Sequence, residues 1–146
     1  RDMVLRVAGG LAPGRPVTVS DENGKAVLIR KSLNGHFQAA GEVNGQPVDF
    51  LIDTGATSIA LSHDDALRIG FTDADLNYTL IINTANGQAR AAPVRLDTVT
   101  VGSVVRRGLR AMVAEPERLD QSLLGMNFIS SLTAFEMRRD EVILRD

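Results

Sequence analysis

Asp53-Thr54-Gly55 is the point in this chain where chemistry can concentrate, because it closes an apolar run containing Val48, Phe50, Leu51 and Ile52. A strand of that kind delivers a carboxylate into a turn. Gly55 lets the backbone fold tightly beside it, and Thr54 offers a hydroxyl able to lock the turn. A reactive carboxylate needs such a mount: rigid, close to backbone N–H donors and partly surrounded by apolar groups. Asp and Gly are also common turn residues, so a plain strand-ending turn is the alternative for the tripeptide alone. A second element, Leu123-Leu124-Gly125 ahead of a helical segment, strengthens the chemical reading.

The other polar groupings carry less. His63-Asp64-Asp65 has metal-ligand residue types, but neighbours on a helix point in different directions, and Asp65 is explained by a cap at Ser62. No metal site is expected. His36 sits in an alternating segment and is expected to pack or face solvent. Arg106, Arg107 and Arg110 have no aromatic partner and are expected at a solvated strand end. A net charge of −2 gives no electrostatic case for nucleic acid. The absence of Cys removes disulfides, thiolate metal sites and cysteine nucleophiles. Met112, Met126 and Met137 are expected as core filler.

The elements that must position Asp53 are mostly strands. Val17–Val19 and Val27–Ile29 flank Asp21-Glu22-Asn23-Gly24, and Asn-Gly is a strong hairpin signal because both positions tolerate positive φ. Asn44-Gly45 joins Phe37–Val43 to Val48–Ile52, and Asn86-Gly87 joins Tyr78–Thr84 to Ala89–Leu96. Alternation resumes at Val99 and Val101, and again from Leu109 to Val113. Ala134–Met137 and Val142–Leu144 read as a terminal hairpin. Two short helices interrupt the pattern. One is capped by Ser62 with Asp65 completing a capping box and Gly70 as the stop; the other spans Met126–Leu132. The fold class is all-β, a closed or sandwiched single domain with two short helices. At 146 residues with 44% apolar content, the chain can bury a full core. It begins at Arg1 without an initiator Met and is expected to be a fragment or processed product.

On these residues the chain resembles the retropepsin-like aspartic proteases, most closely their bacterial, often membrane-anchored single-domain branch. The resemblance covers about residues 28–146 and leaves 1–27 as a leading segment without an equivalent. It implies a retropepsin-like acid-protease barrel with one domain per chain. Asp53 corresponds to the catalytic Asp, Thr54 to the residue that grips its counterpart across a dimer axis, and Gly55 to a backbone contact at the active site. Leu123, Leu124 and Gly125 correspond to the second loop of the barrel. Asn83, Thr84, Ala85, Asn86 and Gly87 correspond to the flap, with Asn86-Gly87 near its tip. The resemblance thus makes Ala56, Thr57, Thr84, Ala85, Asn86 and Gly87 candidate substrate-binding residues. Viral members usually carry an acidic residue where this chain has Thr57, and their flap is richer in Gly.

Peptide hydrolysis of this type needs one carboxylate to activate water and another to protonate the carbonyl or the leaving amine. The chain holds one Asp-Thr-Gly, and Leu-Leu-Gly occupies the place where a two-domain enzyme repeats it. The expectation is an aspartic endopeptidase working as a homodimer that contributes Asp53 twice, with no cofactor. Val142–Leu144 is expected as an interface strand with a free edge. The alternative is a catalytically silent domain of the same fold, serving dimerisation or peptide binding. The Asp53-Thr54-Gly55-Ala56-Thr57 string also resembles the phosphate loop of actin-like and sugar-kinase ATPases. Those folds need two lobes, for which this chain is too short. A phosphoaspartyl enzyme needs a Lys after the Asp, and Lys25 and Lys31 both precede it. Peptide or protein is the expected substrate. A membrane enters only through a segment absent from this chain, and a periplasmic or membrane-associated location is implied by the resemblance alone.

Overall fold

A computed structural model describes residues 12–85 and 87–146. Eleven strands fall among them: β1 (Val17–Asp21), β2 (Gly24–Arg30), β3 (Gln38–Val43), β4 (Gln46–Ile52), β5 (Ile59–Leu61), β6 (Leu80–Thr84), β7 (Gly87–Val101), β8 (Val104–Ala114), β9 (Ser122–Leu124), β10 (Ala134–Met137) and β11 (Glu141–Arg145). Two short helices, α1 (His63–Ile69) and α2 (Met126–Ile129), and a 3-10 turn at Asp73–Asp75 complete the chain. The expected class, an all-β domain with two short helices, is the observed one.

Seven strands form one sheet in the order β3-β4-β9-β5-β8-β7-β6, and β3 also pairs with the far end of β7. That extra pairing, Glu42 opposite Thr100 and Val43 opposite Val99, closes six strands into a barrel and leaves β6 outside the ring. β7 reads as two segments in sequence because Pro93 and Asp97 break its apolar alternation. It is one strand of fifteen residues. Its first residues pair with β6 as a hairpin arm, and its last pair with β3 as barrel wall. In β4, Val48, Phe50 and Ile52 face the interior while Gln46, Pro47 and Asp49 are exposed, the period of two that a half-buried strand requires. Phe50, Phe128, Ile59, Leu61, Leu96 and Leu124 are fully buried at the centre.

A second sheet, β1-β2-β11-β10, packs against the barrel. Val27, Ile29, Val142 and Leu144 belong to the main core. Ala26, Leu28 and Ile143 gather with half-buried Val19 on the opposite face. β11 therefore lies between β2 and β10, so Val142–Leu144 is not the free edge strand expected from sequence; both of its edges are hydrogen-bonded within the chain. Among the described residues, the strand edges this sheet leaves open are those of β1 and β10. Arg145 at the end of β11 grips Asp21 at the end of β1 with two hydrogen bonds, of 3.0 and 2.6 Å. The Arg145 guanidinium holds the Asp21 carboxyl below its ordinary value of 3.8. β2 runs across positions 27 and 28, so the strand joins the leading segment to the remaining chain. Residues 1–11 of that segment lie outside the described residues.

The turns show how far a dipeptide signal reaches. At Asn44-Gly45 both residues have positive φ, 52° and 81°, as a two-residue hairpin with this pairing needs. In the first hairpin Asp21 pairs with Gly24, which moves the turn one residue earlier, to Glu22-Asn23. The Asp21 carboxylate accepts from the Asn23 N–H at 2.9 Å and holds it there. The β6–β7 hairpin is displaced in the same sense: Thr84 pairs with Gly87, so Gly87 opens β7. Met137, expected in the core, is half exposed because β10 is an edge strand with little covering it.

Asn44 does more than turn the chain. Its Oδ1 accepts from Asp97 N–H (2.8 Å) and Thr98 N–H (3.1 Å), and its own N–H donates to Thr98 O (2.9 Å), tying the β3–β4 hairpin to β7 where the barrel closes. Asn44→Ala leaves two backbone donors short of a partner and puts a side chain with no local hydrogen bond at positive φ. It is expected to cost about 1–3 kcal/mol in urea denaturation, while Asn44→Gly restores the backbone freedom and costs less.

Candidate active site

The loop bearing Asp53 is gripped from inside. β9 lies parallel to β4, with Leu51 opposite Leu123 and Ile52 opposite Leu124, and antiparallel to β5 through Ala60 and Leu123. The two legs of the Asp53 loop, β4 and β5, are thus held apart by one strand threaded between them. Asp53 N–H donates to Leu124 O at 3.1 Å, Met126 N–H to Ala56 O at 2.8 Å and Asn127 N–H to Thr57 O at 3.1 Å. Gly125 makes the threading possible. A Cβ there would sit 2.1 Å from Ser58 O and 2.9 Å from Ala56 O, inside the contact distance of any real side chain.

Within that frame, Gly55 N–H donates to Asp53 Oδ1 at 2.9 Å and Ala56 N–H to Asp53 O at 3.2 Å, so the turn orients its own carboxylate. Asp53 is half-buried, and Thr54 and Gly55 are exposed. The Thr54 hydroxyl makes no hydrogen bond among the described residues. Asn127, which the sequence reading did not single out, binds both walls with one amide. Its Oδ1 accepts from Ile59 N–H (2.9 Å) and its Nδ2 donates to Arg110 O (2.7 Å). Its nearest sequence signal is its place two residues after Gly125.

A buried polar relay braces the other end of β9. Ser62 caps α1, its Oγ accepting from Asp65 N–H at 3.1 Å. The Asp65 carboxylate does not reach back to the Ser62 N–H as the expected capping box requires. Ser122 stands between them: Ser62 N–H donates to Ser122 Oγ (3.0 Å), and Ser122 Oγ–H donates to Asp65 Oδ2 (2.6 Å). Arg68 supplies a further bond to Asp65 Oδ1 at 2.6 Å. Burial pushes the Asp65 carboxyl up, but the bonds from Ser122 and Arg68 outweigh it and leave it below its ordinary 3.8. His63 faces Asp73 across 3.3 Å.

Beside the Asp53 loop opens a cleft of about 370 Å³. Gly55, Ala56 and Thr57 form one wall, Met112 and Ala114 of β8 and Leu123 the floor, and Ile82, Asn83 and Ala89 of the β6–β7 hairpin the opposite wall. Arg118 and Leu119, from the turn after β8, close one end. Two of the candidate substrate-binding residues, Ala56 and Thr57, are therefore at the cleft. Ala85 and Gly87 are not; the hairpin meets the cleft through its stem, at Ile82 and Asn83 of β6 and Ala89 to Ala91 of β7. Thr84 stands in β6 opposite Gly87, and Asn86 lies outside the described residues. Met112, Ala114, Arg118 and Leu119 carry no local signature, because only the parallel pairing of β5 with β8 brings them to Asp53.

The Asp53 carboxylate is thus mounted on a threaded loop whose Gly55, Ala56 and Thr57 line an apolar cleft shared with the β6–β7 hairpin. The family model described as "gag-polyprotein putative aspartyl protease" matches residues 39–131. A crystal structure of a retropepsin-like aspartic protease from Rickettsia conorii superposes with a TM-score of 0.75 at 33% identity, over 88% of this chain and 93% of that one. The EIAV protease complexed with the inhibitor HBY-793 shares the fold at TM-score 0.60 and 19% identity, over 73% of this chain and 97% of its own. An uncharacterized protein in the cobV 5′ region of Sinorhizobium sp. is 46% identical over 97% of this chain. An uncharacterized Rickettsia prowazekii protein is 37% identical over 81% of it. The chain belongs to the retropepsin-like aspartic proteases, as its resemblance to their bacterial branch implied. It spans 61% and 50% of the lengths of those two curated relatives.

Gly125→Ala forces a methyl group into backbone oxygen atoms. It is expected to cost at least about 2–3 kcal/mol, or to prevent folding, as read by denaturant titration. Ser122→Ala breaks the relay and is expected to cost about 1–3 kcal/mol at neutral pH. Asp65 titrates lower folded than unfolded, so its contribution is complete above the unfolded value of 3.8 and is lost as pH falls below it through the lowered folded value. The gap between wild type and Ser122→Ala should accordingly narrow below about pH 3.8 in denaturation curves taken from pH 6 downward.

Proposed function

We propose that this chain is an aspartic endopeptidase subunit, active as a homodimer in which each copy supplies one Asp53. The observation that carries the reading is a single carboxylate, oriented by Gly55 N–H and mounted on a loop that β9 locks in place, where the next residues, Gly55 to Ser58, line an apolar cleft. A loop this tightly determined is the rigid support a catalytic group requires. The exposure of Thr54 and Gly55, and the hydroxyl that Thr54 leaves unspent, fit a surface that meets a second copy of itself.

The chemistry then follows from two carboxyls about 3 Å apart, which share one proton. The ionised member takes a proton from water, and the oxygen attacks the peptide carbonyl. The protonated member gives its proton to the carbonyl oxygen. Collapse of the tetrahedral diol breaks the C–N bond as the carboxyl that took the proton from water passes it to the leaving nitrogen, while the other, now ionised, takes a proton from one diol hydroxyl. Water is consumed, one acid and one amine are formed, and the pair regains its starting protonation. The main chain of an extended substrate can lie between the Ala56–Thr57 wall and the β6–β7 hairpin, with apolar side chains over Met112 and Leu123.

No helix among the described residues is long and apolar enough to cross a membrane. A periplasmic, membrane-tethered placement belongs to this proposal through the resemblance alone.

Asp53→Asn keeps the size of the side chain and its acceptor for Gly55 N–H but removes the carboxylate. Cleavage of a peptide library by the wild type should fall at least about a thousandfold in the variant, with circular dichroism and melting nearly unchanged. Cleavage that persists in a folded Asp53→Asn protein would sink the assignment. Near-identical behaviour of both proteins, with binding but no cleavage, would point to the silent module instead. Wild-type specific activity should also rise with protein concentration until the dimer is saturated, as read in a dilution series.

A further inference from the structure

Two guanidinium groups stand at the cleft without a neutralising partner. Arg90, early in β7, and Arg118, in the turn after β8, both line it and are both exposed. Neither guanidinium makes a hydrogen bond or ion pair among the described residues. Elsewhere Arg68, Arg106, Arg138 and Arg145 are each tied to a carboxylate. The same two residues border an adjoining depression of about 290 Å³ with Glu115, Ile81 and Gln88. Glu115 is half-buried and spends one oxygen on the backbone N–H of Arg90 at 3.3 Å. One carboxylate thus faces two guanidinium groups, and the cleft end keeps a positive excess.

The turn that presents Arg118 is held in place. Arg118 N–H donates to Glu115 O at 3.2 Å, and Glu117 sits at φ 67°, a conformation that non-glycine residues adopt rarely and at a cost. The small residues Ala56, Ala89 and Ala114 leave room beside it.

We propose, building on the peptidase reading above, that Arg90 and Arg118 form an acidic-residue subsite. An extended peptide seats an aliphatic side chain over Met112 and Leu123 and places an Asp or Glu side chain between the two guanidinium groups. Arg suits the task because its planar fork matches a carboxylate with two parallel hydrogen bonds. Both groups are exposed, so selectivity of about fivefold is the expected scale, with salt weakening it.

The test uses the Asp53→Asn protein, which should hold peptides without cutting them. Fluorescent octapeptides that differ only by a Gln-to-Glu or Gln-to-Lys change scanned along the chain are ranked by anisotropy. One position should bind about fivefold more tightly as Glu than as Gln, and the advantage should shrink in 0.5 M salt, about five times the ionic strength that sets a 10 Å screening length. Adding Arg118→Glu should reverse the ranking in favour of Lys at that position. Arg118→Gln, the milder change should the reversal not fold, should flatten it. Arg107→Glu, on β8 outside the cleft, should leave it in place. No position favouring Glu, a ranking unmoved by either Arg118 change, or no peptide binding at all would overturn the subsite. Cleavage of the parent Gln peptide by the wild type is scored separately. Cleavage without a Glu ranking leaves the peptidase standing and removes the subsite. A ranking without cleavage keeps the subsite and removes the peptidase.

Discussion

Backbone meets backbone at Gly125, and most of the molecule is arranged around that contact. A strand can pass between the two legs of the Asp53 loop only if its turn into α2 carries no side chain, because Ser58 O and Ala56 O occupy the space a Cβ would take. Once β9 is seated, its carbonyl at Leu124 takes the N–H of Asp53, and the first N–H groups of α2 take the carbonyls of Ala56 and Thr57. The loop is thereby bonded on both sides while its tip stays at the surface. Buried backbone polar groups tolerate no vacancy, so this pairing also excludes alternative loop conformations.

The buried side chains around the loop follow the same logic, although the Tyr78 hydroxyl is buried without a partner among the described residues. Ser122 is far in sequence from the Ser62–Asp65 cap, and each of the three could be an orphan beneath the sheet. Together they form a relay in which every buried donor and acceptor is matched, and Arg68 neutralises the charge. Asn127 serves the other side of the loop with both ends of its amide. The loop that carries the Asp53 carboxylate is thus held by two braces, one anchored in α1 and the other in α2.

What faces outward is left less complete. The Asp53 turn exposes Thr54 and Gly55, the β6–β7 hairpin exposes Ile81, and Arg90 and Arg118 carry charge without a partner among the described residues. The second sheet, by contrast, is closed within the chain, since β11 is flanked by β2 and β10. The C-terminal strand therefore offers no free edge to the proposed second copy; the edges that this sheet leaves unpaired among the described residues are those of β1 and β10.

The amino-acid sequence by itself determined the elements whose cause is local. Alternation through Val48, Phe50 and Ile52 requires a strand, Asn44-Gly45 requires its hairpin, and Ser62 with Gly70 brackets α1; these depend on backbone preference and neighbouring side chains. Asp53-Thr54-Gly55 and Leu123-Leu124-Gly125 were legible as a pair for the same reason, each being a short string with its own geometry. Three-residue β5 and β9 were not legible, because a strand that short is specified by the partner it pairs with. Tertiary structure alone decided that Ser122 completes the cap of α1, that Asn127 ties Ile59 to Arg110, and that Met112, Arg118 and Leu119 share a cleft with Ala56. It also moved the turns at Gly24 and Gly87 by one residue and left Met137 at an open edge. Those outcomes depend on which surfaces meet when the barrel closes, and no window of local sequence contains that information.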